Sequence, residues 1–133
     1  MKEDPKLHHV CKRISQNSLE TVLEMFELLG CKVVYRPPGG VQWAMVKQGD
    51  LDFLIQLAEV GDSPMVGKGR VGSHVGFISE HPEEVISKVE DWAKSNNLRF
   101  EKGGWSKLEF WFDLPDLFVD WVVEVMHVDI LNT

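Results

Sequence analysis

Val71-Gly72-Ser73-His74-Val75-Gly76-Phe77-Ile78-Ser79 is the stretch whose reading decides the fold. Its alternation puts Val75 and Phe77 on one face of a strand and His74 on the other. A helix is expected from Pro82, a residue well suited to a first helical turn. Val85, Ile86, Val89, Trp92 and Ala93 recur along one side of it, and it stops at Ser95-Asn96-Asn97. An earlier stretch has the same plan. Residues 7–14 read as a strand with His9, Cys11 and Arg13 on one face and Val10 and Ile14 on the other. Ser18 is the expected N-cap of a helix carrying Leu19, Val22, Leu23, Phe26 and Leu29, with Gly30 as its stop.

Three strands are expected after each helix. In the first half they are Cys31–Arg36, closed by the Pro37-Pro38-Gly39-Gly40 turn, then Val41–Lys47, a turn at Gln48-Gly49-Asp50, and Leu51–Val60. In the second half they are Leu98–Lys102, Leu108–Asp113 and Trp121–Val128. The order is therefore βαβββ twice, and such a repeat governs the fold class. The expectation is an α+β protein, one domain over residues 1–133. Module one covers about 7–60, a Gly-rich linker 61–70, and module two about 71–128, the modules pairing into a curled eight-stranded sheet. His9 and His74 stand 65 residues apart, whereas Gln56 and Glu124 stand 68 apart. The excess is assigned to a longer loop at Leu114–Asp120.

Composition narrows the function. A chain of 133 residues, 44% hydrophobic and 26% charged, can bury a core without staples. A net charge of −7 and the absence of any Lys/Arg run argue against a nucleic-acid partner. Cys11 and Cys31 have no paired spacing, which favours a reducing compartment. The charged start, Met1-Lys2-Glu3-Asp4-Pro5-Lys6, is unlike a secretory signal, and no apolar run approaches the ~20 residues that span a bilayer. A cytoplasmic protein with a small-molecule partner and no membrane is expected.

Parity then isolates a constellation. In four strands one face is apolar, and the opposite face carries a polar residue of metal-ligand type: His9, Gln56, His74 and Glu124. Taken singly, a strand histidine is more often a core or surface residue than a ligand. Four such residues at matching places in two repeats form a pattern. Two imidazoles, a carboxylate and an amide oxygen make a mixed N/O set that suits Ni, Co, Mn, Fe or Zn. Such an ion could act as a Lewis acid on a bound carbonyl or enediolate.

The His9-Val10 opening, Ile55-Gln56-Leu57, Ser73-His74-Val75-Gly76-Phe77-Ile78-Ser79 and Val122-Val123-Glu124-Val125-Met126, in that order and spacing, resemble the vicinal oxygen chelate superfamily. Its members include glyoxalase I, methylmalonyl-CoA epimerase, extradiol dioxygenases and bleomycin-resistance proteins. The resemblance covers about residues 7–128 and is nearest to glyoxalase I and the epimerases. It implies two βαβββ modules, a divalent metal on His9, Gln56, His74 and Glu124, and commonly a homodimer. Trp43 stands where the epimerases carry a catalytic glutamate, and 113–120 is longer than the family's usual turn.

A metal-dependent lyase or isomerase acting through a metal-stabilised enediolate is the leading expectation, on a small oxo- or hydroxy-acyl substrate. Glu124 is its expected base, and Glu109, sharing parity with Trp111, the second. Arg13 is a candidate for an anionic substrate group. Trp43, Trp105, Trp111 and Trp121 are candidates to line an apolar pocket. The alternatives are a drug-sequestering binding protein without catalysis and a ring-cleaving dioxygenase. His8, His81 and His127 have no partners in the repeat and read as surface or packing residues.

Overall fold

The computed structural model describes residues 6–61, 70 and 72–132. The expected linker, apart from Gly61 and Arg70, lies outside the described residues, as do Val71 and the first five residues. The chain divides into two compact units between Val60 and Gly61. Each unit builds a helix on one face of its own four-stranded sheet.

In the first unit, strand β1 (His9–Ile14) leads into helix α1 (Leu19–Leu28), followed by β2 (Cys31–Tyr35), β3 (Trp43–Gln48) and β4 (Leu54–Glu59). All five expected apolar positions of the helix are buried, and so is Met25. They pack on Ile14, Ala44, Val46 and Leu57, which share the other apolar surface of the unit. Each such side chain contributes about 1.5–3 kcal/mol on burial. Ser18 occupies the cap position, but its hydroxyl donates to the Ser15 carbonyl instead of accepting from the helix. Glu59 replaces it: its carboxylate accepts from the Asn17 and Leu19 amides at 2.8 and 2.9 Å. A negative group at that end also suits the helix dipole. Gly30, at φ 85°, ends the helix as expected. Burial pushes the Cys31 thiol up to about 11, so it behaves as a core residue.

The sheet order is β1-β4-β3-β2, with β1 and β4 parallel. Register sets its faces. His9 pairs with Leu54, which pairs with Lys47, which pairs with Lys32. One row along, Cys11, Gln56, Met45 and Tyr35 are aligned in the same way. Directly opposed residues share a face, so the ligand-type residues lie on the face away from α1.

The second unit has the same order: β5 (His74–Ser79), α2 (Pro82–Ser95), β6 (Glu101–Gly104), β7 (Glu109–Asp113) and β8 (Val122–His127), closed by a short 3-10 helix, Val128–Asn132. Its sheet runs β5-β8-β7-β6, again with the first and last strands parallel. The expected α+β fold of two βαβββ modules is thus present, with ladder bonds within each unit's sheet. The strand expected at Leu98–Lys102 instead runs Glu101–Gly104. Asn97 takes a left-handed conformation (φ 56°), and Arg99 is tied to Asp116 before the strand can pair.

Arg70 is the feature that the local pattern hid. It is 5% exposed and forms a two-pronged bond to Asp113, Nε to Oδ2 at 2.8 Å and Nη2 to Oδ1 at 2.9 Å. It also donates to the Phe118 and Val119 carbonyls at 2.7 and 3.1 Å. One side chain therefore ties the approach to β5 to the end of β7 and to the loop before β8. No helix among the described residues is long and apolar enough to cross a membrane.

Candidate functional site

The second unit brings its two ligand-type residues together. His74 pairs in register with Val122, and Gly76 with Glu124. Glu124 therefore stands one same-face step beyond His74, and its Oε1 comes within 3.3 Å of the His74 Nε2. His74 is partly exposed, whereas Glu124 is only 6% exposed. Burial pushes the Glu124 carboxyl above its ordinary value; His74 offsets this and Glu109 adds to it. A carboxyl so shifted is a candidate acid or base.

Four residues line up across this sheet: Gly76 on β5, Glu124 on β8, Trp111 on β7 and Gly103 on β6. The outer two are glycines, and the inner two are large. A Cβ on Gly76 would lie 3.5 Å from the Glu124 Oε1, and one on Gly103 only 2.6 Å from the Trp111 Cζ2. The indole of Trp111 is therefore laid over a backbone that has no side chain. Trp105, 46% exposed, brings its ring within 5.7 Å of the His74 ring. Glu109 lies one row from Trp111 and Glu124, and its Oε1 accepts from the Ser106 hydroxyl at 2.9 Å.

The first unit repeats the geometry with neutral groups. Gln56 stands one same-face step beyond His9, as Glu124 does beyond His74. His9 is exposed and its Nδ1 is 2.9 Å from the Nδ1 of His8, a neighbour that parity gave no reason to count. Gln56 is half-buried, and its side chain has no hydrogen-bond partner among the described residues. Arg13 lies on the same face, and Trp43, opposite Ala58, stacks obliquely on Tyr35 at 5.6 Å. Trp121 differs from expectation. It is fully buried and stacked on Phe118 at 3.9 Å, so it is core and lines no pocket. Among the described residues, no three His, Cys, Asp or Glu side chains form a ligand cluster; each unit supplies a pair.

No family model matches the sequence, and neither does any curated protein. Solved structures do match. The trypanothione-dependent glyoxalase I of Leishmania major superposes over 97% of this chain and 91% of its own, with TM-score 0.59 and 13% identity. The chain has the glyoxalase fold. The same glyoxalase fold is shared with TnmS3, an antibiotic binding protein from Streptomyces sp. CB03234, over 96% of this chain and 98% of that one (TM-score 0.58, 12% identity). It is also shared with a glyoxylase/bleomycin resistance protein/dioxygenase domain from Frankia sp. EAN1pec, over 94% and 98% (0.56, 16%). The resemblance to the vicinal oxygen chelate superfamily thus holds for the fold. A fold that hosts both enzymes and binding proteins leaves the activity to the side chains.

Proposed function

We propose that the chain is a metal-dependent lyase or isomerase that moves a proton on a small oxo- or hydroxy-acyl substrate. The observation that carries this is the repeated register, in which His9 with Gln56 and His74 with Glu124 occupy equivalent rungs of two sheets. The donors suit a divalent transition ion. Two imidazoles and two oxygens match its preferences, and a buried carboxylate beside an imidazole is the group that gains most from a nearby positive charge. In this reading His9, Gln56, His74 and Glu124 hold the ion. When bound, it supplies Lewis-acid stabilisation of the enediolate oxygens.

Proton movement falls to the chain's own carboxylates. Glu124, displaced from or loosely held by the ion, takes the proton from the carbon beside the carbonyl, and Glu109 is the second acceptor. Trp111, directly opposed to Glu124, restricts water around it, which keeps the charge on the reacting oxygens poorly screened. Trp43 borders the same face in the first unit, and Arg13 is assigned to an anionic end of the substrate.

The test is elemental analysis of the tag-free protein beside His74→Ala, after incubation with Ni, Co, Mn and Zn. About one transition ion per chain, lost in the variant, supports the proposal. Absence of metal from the wild-type protein overturns it. A second reading, an aromatic-ligand binder without catalysis, is favoured by the exposed Trp105 ring beside His74. It requires ligand quenching of tryptophan fluorescence to persist in chelator.

A further inference from the structure

We infer that the face of the first sheet that carries His9 and Gln56 also holds a carboxylate or phosphate of the substrate, through Lys32 and Lys47. These two lysines are directly opposed across β2 and β3. Like charges in that relation destabilise a sheet unless something lies between them. Neither lysine side chain has a hydrogen bond or ion pair among the described residues. Of the acids in the adjoining turn, Asp50 and Asp52, the second pairs with Lys6 at 3.6 Å.

Charge is segregated here. In a chain with 21 acidic against 14 basic residues, the strand residues on this face include Arg13, Lys32 and Lys47 and no Asp or Glu. Lys47 is half-buried and Lys32 is exposed. An ammonium in that setting presents three donors to an oxyanion.

Spacing limits the ligand. Lys47 is in the same row as His9 with β4 between them, so their backbones lie about 10 Å apart, two strand spacings. A lysine side chain spans more than half of that. The anionic group is therefore separated from oxygens held near His9 by only a few bonds. This picture of the reacting end rests on the function proposed above; anion binding by the lysines does not.

The test is thermal unfolding of metal-free protein in inorganic phosphate or malonate against chloride of equal ionic strength. At tenfold its Kd, the anion raises the wild-type melting temperature by about 5 °C. In Lys47→Gln and Lys32→Gln this shift is lost, while melting without the anion stays equal to or above wild type because the repulsion is gone. Lys88→Gln, on α2, keeps the shift. No shift in the wild type, or equal shifts in all four proteins, overturns the inference. The phosphate and malonate arms identify which oxyanion is preferred. His74→Ala should retain the shift, because it leaves both lysines in place; a wild-type protein that takes up no metal yet responds to the anion refutes the enzyme reading and leaves this one standing.

Discussion

Replacing Arg70 with Met should be among the most damaging single changes in the molecule. The guanidinium makes two bonds to a carboxylate that is 3% exposed and two more to backbone carbonyls. Removing it strands the Asp113 charge in the interior, a loss of about 3–5 kcal/mol. At the usual unfolding entropy per residue, a chain of this length loses about 3–4 °C per kcal/mol, so melting should fall by about 10–18 °C. Asp113→Leu added to Arg70→Met removes the stranded charge. The double variant should recover much of the loss, though not all, because the Phe118 and Val119 carbonyls still lack their donor. Burial already pushes the Asp113 carboxyl up while Arg70 pulls it back. Without Arg70 the folded carboxyl holds its proton to higher pH than the unfolded one. The deficit should therefore be small in acid and grow as pH rises through the folded value. Urea unfolding at several pH values measures all of this. A single variant within about 3 °C of wild type, or a double variant no better than the single, refutes the view that a buried uncompensated charge carries the cost.

Glu124→Gln should stabilise the metal-free protein at neutral pH. The raised carboxyl means that the folded chain binds this proton more tightly, so stability drains away as pH rises from the ordinary carboxyl range through the folded value. The gap between the urea midpoints of variant and wild type should open between acid and neutral pH; a pH-independent gap would contradict this cause. Glu59→Ala removes the two bonds that cap α1 and should cost about 1–2 kcal/mol. It should leave metal uptake intact; loss of metal would show that β4 depends on the cap for its position.

The alternation in the chain was enough to read both modules, both helix stripes and the face carrying His9, Gln56, His74 and Glu124. Those features are local, written at periods of 2 and 3.6. What escaped was made by partners distant in sequence. Nothing near Ser18 announces that Glu59 will cap its helix, because that bond depends on where β4 ends. Arg70 read as the last residue of a polar linker, and its meaning appears only once Asp113 and the loop after it close around it. Trp121 is the exception: it shares the parity of Val123 and Val125, not of Glu124, so alternation already pointed to the core position in which it stacks on Phe118. The lengthened loop was partly legible: Met45 and Trp111, opposite Gln56 and Glu124, are 66 apart. Most of the excess thus does fall between β7 and β8.

The row that runs Gly76, Glu124, Trp111, Gly103 has a counterpart in Cys11, Gln56, Met45, Tyr35. In the first unit every position bears a side chain, and Gln56 has a thiol as its neighbour on β1. In the second, the two outer strands of the row are bare, and the Glu124 carboxylate has Trp111 on one side and the unsubstituted backbone of Gly76 on the other. The two copies have therefore kept one architecture while dividing its freedom. The second copy alone leaves its oxygen free of any side chain on the first strand, and the proposed proton carrier needs that room to collect a proton and hand it back.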